Sequence, residues 1–262
     1  MKQYVVDAFT KVPFSGNPAA VCVMERWPQD SYMQALATEN NFSETAFIVK
    51  EGDHYRLRWF TPGTEVDLCG HATLASSFVI FNFVEPESEE IRFQTRSGEL
   101  IIRRKAELLE MNFPLSDYRE IPVTEAMEKA FGAKPEKAFL GMDLNCVFAE
   151  EETVRNMNPD QNLLAELPGR LQNATAAGKD TDCVSRCFGP KVAVPEDPVT
   201  GSSHTELAPY WAAEFGKKEI HAYQASKRGG HLFCEILEEG RIAIRGNAVL
   251  VAETEIHAVP TW

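Results

Sequence analysis

Short apolar runs separated by turn-forming residues dominate the first half of the chain, and this pattern predicts strands. Clusters of Gly, Pro and Asn, such as the one at residues 13–18, mark the turns. The predicted strands cover residues 4–9, 19–23, 45–49, 55–60, 91–95, 98–103 and 108–113. Short turns separate the last three segments, as in an antiparallel meander, so strands outnumber helices in this half.

Two helices are predicted in the first half, and they differ in how they should be buried. Met33, Leu36 and Ala37 recur at three- and four-residue spacing, which predicts a helix with one apolar face. Ser31 is a suitable N-cap for that helix. Residues 71–82 instead carry small and apolar side chains on every face, which is typical of a helix buried on all sides. Such a helix would lie at the centre of a domain, wrapped by a curved sheet.

The second half repeats this arrangement after Pro114. Helices are predicted at residues 124–131, 162–172 and 204–215, and strands at residues 138–140, 145–149, 231–237, 241–245 and 248–253. The turn glycines Gly70 and Gly201 lie 131 residues apart, which is half of the 262-residue chain. This spacing suggests a duplication, but identity between the halves is weak, so chance stays open as the alternative explanation.

The composition is that of an ordinary globular protein, with 44% hydrophobic and 25% charged residues. A formal net charge of −13 produces a field that repels phosphate backbones and anionic membrane surfaces. We therefore expect neither a nucleic-acid partner nor a membrane partner. The most apolar stretch, at residues 72–84, is also shorter than the roughly 20 residues that a membrane-spanning helix needs.

Six cysteines are scattered along the chain without a CxxC pair or a histidine at zinc-finger spacing. Such cysteines are typical of free buried thiols in a reducing compartment. The first residues also lack the apolar run of a signal peptide, because Asp7 and other polar residues interrupt it. A cytoplasmic protein is therefore expected.

Gly70 and Gly201 are candidates for an anion-binding site. A glycine directly before a helix allows a sharp backbone turn and leaves the first N–H groups of the helix without partners. If the two halves face each other, the amides after both glycines would hold a carboxylate or stabilise an enolate. The alternative is that each glycine only makes a tight turn.

Four further polar residues have both a chemical and a structural interpretation. Glu44 interrupts the entry to an apolar strand, where either a catalytic or a solvated carboxylate would fit. Asp197 is either a site residue or the residue that starts the turn after it. His71 and Ser202 would also suit the first turn of a helix without any further role.

Five sequence blocks together resemble the signatures of the phenazine biosynthesis PhzF-like family. They occur in the family's order and span nearly the whole chain, so a chance match is far less expected than for one short motif. The blocks are residues 14–21 (FSGNPAAV), 43–47 (SETAF), 57–62 (LRWFTP), 65–73 (EVDLCGHAT) and 196–204 (EDPVTGSSH).

The resemblance implies a mixed α/β (α+β) fold like that of diaminopimelate epimerase. This fold has two pseudo-symmetric halves, each a curved, mostly antiparallel sheet around a central helix, with the active site between them. We therefore expect an N-terminal half at residues 1–115 and a C-terminal half at residues 116–262, with the last strand free to return to the first half. Family members are usually dimeric, which implies a homodimer.

The resemblance also implies an isomerase that uses no cofactor and no metal and moves a proton on a small anionic metabolite bearing a carboxylate. Matched by motif, Glu44 would be the general acid/base, because one group must accept the proton and then return it. The resemblance assigns the remaining roles as follows: His71 and Asp197 are catalytic, and Gly70, Gly201, Ser202 and Asn17 bind the substrate.

Two alternatives stay open. Related epimerases place one cysteine on each side of the substrate carbon, and Cys69 matches the first, which suggests an amino-acid racemase or epimerase. The equivalent stretch of the second half, around Thr200, has no cysteine, and this favours a single base at Glu44. The other alternative is a catalytically idle protein that binds a small molecule.

Overall fold

The computed structural model describes residues 1–258 and has a mixed α/β architecture. Its strands, in chain order, are β1 (Lys2–Ala8), β2 (Asn17–Met24), β3 (Glu44–Glu51), β4 (His54–Phe60), β5 (Glu65–Val66), β6 (Glu90–Thr95), β7 (Gly98–Lys105), β8 (Leu108–Pro114), β9 (Arg119–Ile121), β10 (Lys137–Leu140), β11 (Leu144–Val147), β12 (Gln172–Ala177), β13 (Cys183–Gly189), β14 (Val194–Asp197), β15 (Glu219–Gln224), β16 (Gly230–Ile236), β17 (Arg241–Gly246) and β18 (Ala248–Glu255). The helices are α1 (Asp30–Asn40), α2 (Gly70–Val79), α3 (Glu125–Phe131), α4 (Glu151–Asn156), α5 (Gln161–Glu166) and α6 (His204–Phe215), with a π-helical turn at Ile80–Val84 and a 3₁₀ turn at Pro190–Val192.

The chain forms two compact units. Unit 1 contains Met1–Asn112 and the segment that starts at Arg245, and unit 2 contains Phe113–Ile244. The chain passes between the units within β8 and again within β17. The predicted division between residues 115 and 116, as a boundary between pseudo-symmetric domains, stays a prediction.

The sheet of unit 1 is mostly antiparallel. Its strands follow the order β18, β1, β2, β3, β4, β6, β7 and β8, and β5 pairs with the end of β4. Two pairs are parallel, β2 with β3 and β4 with β6. All seven strands predicted for the first half are present. Among the strands of residues 1–114, only the two-residue β5 is not predicted by the hydrophobic pattern.

Helix α2 is the buried helix of unit 1 and packs against β1, β2 and β3. Every residue from His71 to Val79 except Phe78 is buried, as the apolar pattern predicts. Its buried hydroxyls find partners inside the helix, where Thr73 donates to the Cys69 carbonyl and Ser77 donates to the Thr73 carbonyl. The α-helix ends at Val79 rather than continuing to residue 82, because the next turn is π-helical.

Helix α1 covers the opposite face of the same strands. Its apolar residues Met33, Leu36 and Ala37 pack against side chains of β2, β3 and β4, as their spacing predicts. The predicted N-cap is wrong, because the helix starts one residue before Ser31 and its N-cap is Gln29, which makes no side-chain capping bond. Asp30 in the first turn instead complements the positive end of the helix dipole.

Unit 2 contains a second mixed sheet. Strands β9, β10 and β11 pair antiparallel, β12 joins β11 in parallel, and β13 pairs with β12, β14 and β15, the last of which pairs with β16. Helices α3, α4 and α5 contribute to an apolar core on one face of β10–β13. Helix α6 packs against β15 and β16, and eight of its residues are buried.

One predicted helix in unit 2 is much shorter than expected. Residues 162–172 were expected to be helical, but α5 ends at Glu166 and Gln172 already belongs to β12. Pro168 and Gly169 explain the early end, since proline disfavours helical backbone in the residue before it and Gly169 has a φ of +83°. Among the helices of residues 1–258, none combines the length and apolar character of a membrane span.

Candidate functional site

Three predicted site residues of unit 1 meet at the start of α2. Glu44 opens β3, Cys69 is the N-cap of α2, and His71 lies in its first turn. The Nε2 atom of His71 lies 3.1 Å from Oε2 of Glu44, and its Nδ1 atom lies 3.5 Å from Sγ of Cys69. The imidazole therefore lies between a carboxylate and a thiol.

These groups are nearly enclosed by protein. The side chains of His71 and Glu44 are 7% and 17% exposed, and Cys69 is buried. Within residues 1–258, Oε2 of Glu44 and Nε2 of His71 are buried atoms without an aligned hydrogen bond, although they are close enough for an ion pair. Buried polar atoms are rarely left in this state. Both atoms thus retain hydrogen-bonding capacity for a ligand.

The surroundings set the protonation states of the two residues beside Glu44. Burial raises the pKa of the Cys69 thiol to about 11, and the Glu44 carboxylate adds to this effect, so Cys69 is a thiol at neutral pH. Burial lowers the pKa of His71, but the electrostatic effects of Cys69 and of Glu44, together with the polar contacts with both, raise it by more. The pKa of His71 lies well above its usual value, which favours an imidazolium next to the Glu44 carboxylate.

The first turn of α2 supplies two free donors. The amide of Ala72 donates to the sulfur of Cys69, and the amide of Thr73 donates to the Cys69 carbonyl at 3.1 Å. In the part of the chain that the structure describes, the N–H groups of Gly70 and His71 make no hydrogen bond. Together with the helix dipole they favour an anion at this end of α2.

Asn17 lies on the same side of the sheet as Glu44. It opens β2, and the parallel register pairs Ala19 with Glu44, so Asn17 and Glu44 both point to the α2 face. The turn ahead of Asn17 is rigid, because Gly16 has a φ of +66° and a Cβ there would lie 2.2 Å from the Ala8 carbonyl oxygen. Asn17 itself is fully buried.

The predicted site residues of unit 2 lie in the turn that precedes α6. Gly70 is the first residue of its helix. Gly201 differs from it, because α6 begins three residues after Gly201, at His204. The Gly201 carbonyl accepts from the His204 amide at 3.1 Å. Among the described residues the N–H groups of Gly201 and Ser202 donate to no other group, so this turn also offers free amides.

Asp197 is built into the same turn. Its carboxylate accepts a short hydrogen bond from the Thr200 hydroxyl, and its carbonyl accepts from Nε2 of Gln224 at 2.8 Å. Oε1 of Gln224 accepts from the Thr200 amide at 2.8 Å and closes the network. The structural interpretation of Asp197, in which it shapes the turn, is therefore supported by direct contacts.

Comparisons with known proteins identify the family. The sequence profile of phenazine biosynthesis-like proteins (PhzC-PhzF) matches residues 6–254. An uncharacterized isomerase of Pseudomonas aeruginosa is 48% identical over 252 residues, which cover 96% of each chain. A crystal structure of a PhzF-family phenazine biosynthesis protein from Enterococcus faecalis has a TM-score of 0.96 and 47% identity, with 98% of each chain covered. The chain belongs to the phenazine biosynthesis PhzF-like family.

The family assignment confirms the resemblance, the fold class and the enzyme class expected from the sequence. The related chains of P. aeruginosa and a third from Halalkalibacterium halodurans are named isomerases. A more distant P. aeruginosa structure, described as a "Predicted Epimerase", has a TM-score of 0.75 at 19% identity and covers 98% of this chain, which shows a shared fold alone. This PhzF-like protein is thus an isomerase with the epimerase-like fold.

Arg170 is a neighbour of the PhzF-like motifs that the sequence does not reveal. Its guanidinium donates from Nη2 to Oγ of Ser202 at 3.0 Å and binds the carboxylate of Asp143 at 3.1 and 3.2 Å. Asp143 is completely buried and also accepts from the Ser203 hydroxyl. Neither Arg170 nor Asp143 belongs to one of the five blocks, so only the folded chain brings them to the Ser202 turn.

Glu44, Cys69 and His71 also offer the PhzF-like site its best set of metal ligands. One ligand atom from each lies within 4.8 Å of the other two. A thiol must lose its proton to bind a metal, and the raised pKa of Cys69 opposes this step. It stays a prediction that the reaction needs no metal and no cofactor.

Proposed function

We propose that this PhzF-like isomerase moves a proton between carbons of a small carboxylate-bearing metabolite, with Glu44 as the general acid/base. The observation that carries the proposal is the Glu44 carboxylate beside the His71 ring, where the buried Oε2 of Glu44 has no aligned hydrogen bond. The helix turn that carries His71 also has two free amides. A base, a cation and two free donors in one enclosed place are what proton abstraction beside a carboxylate requires.

The proposed reaction conserves protons and electrons. Glu44 takes a proton from a substrate carbon, and the electron pair of the broken C–H bond delocalises towards the substrate carboxylate. The N–H groups of Gly70 and His71 and the His71 imidazolium stabilise the resulting anion. The protonated Glu44, whose proton exchanges with solvent, then protonates the far carbon of a C=C bond conjugated with this anion, so the double bond shifts and the Glu44 carboxylate is restored.

The contact between Cys69 and His71 favours a second candidate function. A thiol 3.5 Å from an imidazole nitrogen can be activated by transfer of its proton, as a cysteine-based racemase would require. The high pKa of Cys69 opposes that role, and a second cysteine is lacking around Thr200. We therefore propose Glu44 as the base and Cys69 as a buried neighbour.

Two variants separate these functions. A pool of small carboxylate metabolites is incubated with the enzyme in D₂O, and deuterium incorporation is followed by NMR. We expect Glu44→Gln to lower the incorporation rate about 10²–10⁴-fold and Cys69→Ser to retain the wild-type rate. The opposite result would establish the cysteine-based reaction. A ligand-induced rise in melting temperature without any incorporation by the wild type would indicate a catalytically idle binding protein.

We also propose the remaining predicted roles for each unit: in unit 2, Asp197 is catalytic and Gly201 and Ser202 bind the substrate, and in unit 1, Asn17 binds the substrate. The free amides at Gly201 and Ser202 support this role, because they suit an anionic group. Ser202→Ala should then raise KM for the metabolite found in the D₂O assay more than it lowers kcat. An unchanged KM would remove Ser202 from the site.

The cellular setting is proposed on the same basis. The net charge of −13 and the six free buried cysteines support a cytoplasmic protein that binds neither nucleic acid nor membranes. We propose a homodimer, as the family resemblance implies. Sedimentation equilibrium of the purified chain should give twice the 29.3 kDa monomer mass, and a monomer at micromolar concentration would contradict the dimer.

A further inference from the structure

A pair of histidines lies on the surface of unit 2, outside the residues of the proposed reaction. His221 is on β15 and His231 is on the neighbouring antiparallel strand β16. The Nε2 atom of His221 lies 3.0 Å from the Nδ1 atom of His231. His231 is exposed and His221 is half-buried, so solvent reaches the pair.

Packing on both strands holds the two rings in place. The His221 ring stacks on Phe233, its partner in the strand register, with centroids 4.5 Å apart and planes 16° apart. The His231 ring lies 4.8 Å from the ring of Tyr223, which is its own register partner. Each imidazole is therefore positioned by an aromatic residue directly across the hairpin, and the pair is preorganised.

The separation of the two nitrogens matches that of adjacent ligands on one metal ion. Imidazole nitrogens bind divalent transition metals at about 2.0–2.1 Å, which places two neighbouring ligand nitrogens about 2.9–3.4 Å apart. The observed 3.0 Å between His221 and His231 lies within this range. In the structure this contact is a hydrogen bond between the two rings, so both rings must turn for their lone pairs to converge on one ion.

The protonation states suit metal binding. Burial lowers the pKa of His221, and burial together with the neighbouring His221 lowers the pKa of His231, so both rings are neutral near pH 7. Each neutral ring has one N–H and one lone pair. In the hydrogen bond between the rings, one of the two facing nitrogens carries the N–H of its ring. When both lone pairs face a metal ion, this one N–H moves to the other nitrogen of its ring, and no net proton is released.

We propose that His221 and His231 form a surface site for one divalent transition-metal ion of the kind that prefers imidazole ligands, such as Ni²⁺, Cu²⁺ or Zn²⁺. Water completes the coordination. Asp182 is the nearest carboxylate that the contacts place beside His221: it accepts from the His221 amide at 2.7 Å and is paired with Lys217, so it adds little net charge. The overall charge of −13 attracts cations to the protein at low salt.

The site is tested by titrating Ni²⁺ into the full-length protein near neutral pH, with calorimetry for affinity and stoichiometry. We expect one bound ion in the wild type and weaker binding in His221→Gln and in His231→Gln. Loss of a residue that only hydrogen-bonds to a metal ligand lowers metal affinity about 10–100-fold. Removal of a ligand itself should therefore lower the Ni²⁺ affinity at least about tenfold. His54→Gln, at a partly exposed histidine of unit 1, is the matched control and should bind as the wild type does.

A second measurement needs no variant. In the ¹⁵N-labelled wild type, paramagnetic Ni²⁺ should broaden the resonances of β15 and β16 first. Wild-type affinity in His221→Gln or His231→Gln would overturn the proposal. It would also be overturned by broadening centred on Glu44 and Cys69, with binding lost in Cys69→Ser, because the ion would then occupy the unit 1 cluster.

Discussion

The Glu44–His71 pair places a negative and a positive group in a nearly enclosed position. Removing one partner of a buried ion pair costs about 3–5 kcal/mol, because the other charge is then left without compensation. The free amides of Gly70 and His71 add donors to a site whose polar capacity is not fully used. In the proposed function this unused polar capacity serves the substrate, since costly buried polar groups often occur at functional sites.

The raised pKa of His71 predicts a pH dependence of stability. Between about pH 6.5 and the folded pKa, the folded protein keeps a proton on His71 that the unfolded chain releases. Stability from this group is complete below about pH 6.5 and is lost as the pH rises, with a slope of at most about 1.4 kcal/mol per pH unit. Urea unfolding at several pH values between about 6 and 8 measures this slope.

The double variant Glu44→Gln/His71→Gln is the control for this slope. It removes both titrating groups at similar volume, and it leaves His204, whose pKa burial lowers to about 4, unchanged. The free energy of unfolding should fall more steeply with pH in the wild type than in the double variant. Equal slopes would contradict the imidazolium assignment for His71.

At the residue scale the sequence motifs identify Glu44, His71 and Cys69 as candidates, and the structure brings the three together. The motifs carry no information on which atoms meet or on protonation, since both depend on burial by distant parts of the chain. Arg170 is missed for a similar reason. It reaches Ser202 only because the buried carboxylate of Asp143 holds its guanidinium, and no local pattern encodes that contact.

Among the elements, the turn between β1 and β2 places Asn17 and depends on one glycine. Gly16 combines a φ of +66° with a close approach to the Ala8 carbonyl. Phe14, also at positive φ, is held by a 2.6 Å hydrogen bond from its amide to the Asp7 carboxylate. The turn is therefore fixed by backbone geometry rather than by apolar packing.

A matched pair of variants tests this turn. Gly52 has a φ of +67°, like Gly16, but a Cβ there would meet no atom within 4 Å. Gly52→Ala should lower the free energy of unfolding by about 1–2 kcal/mol, which is the cost of placing alanine in the left-handed backbone region. Gly16→Ala adds a clash with the Ala8 carbonyl oxygen. It should therefore lower the free energy of unfolding, measured with urea, clearly more than Gly52→Ala does, or prevent the protein from folding in soluble form. Equal costs for the two variants would contradict the account of the turn.

Most helices and strands with an apolar pattern are predicted, although β13 and β15 are missed, and elements built from buried polar residues are not predicted. Helix α2 is found because its small and apolar residues surround it. Strand β12 is missed because its sequence, QNATAA, looks polar, although Gln172, Asn173 and Thr175 are fully buried. Asn173 donates to Oδ1 of Asn145, and Thr175 donates to the Val184 carbonyl. Both partners lie in other strands, which a local pattern does not show.

For the whole molecule, the net charge of −13 opposes the approach of an anionic substrate. Under the proposed function, binding must then come from local groups, namely the free amides at the start of α2 and the His71 imidazolium. The Debye length falls from about 30 Å at 0.01 M salt to about 10 Å at 0.1 M, so added salt screens the overall repulsion first.

This balance predicts a salt dependence. KM for the carboxylate substrate found in the D₂O assay should stay constant or fall as NaCl rises from about 0.01 to 0.1 M. A neutral ester of the same metabolite, used as a competitive ligand, should show no such trend. A KM that rises steeply over this range would mean that long-range attraction, not local amides, captures the substrate.

The central claim is that Glu44 carries the proton, and deuterium incorporation into the substrate in D₂O tests it most directly. The incorporation rate is compared between wild type, Glu44→Gln and Glu51→Gln, the same substitution at the other end of β3. General acid–base catalysis contributes about 10²–10⁴-fold, so Glu44→Gln should lower the rate by that factor while Glu51→Gln keeps the wild-type rate. Wild-type incorporation by a folded Glu44→Gln variant would contradict the account.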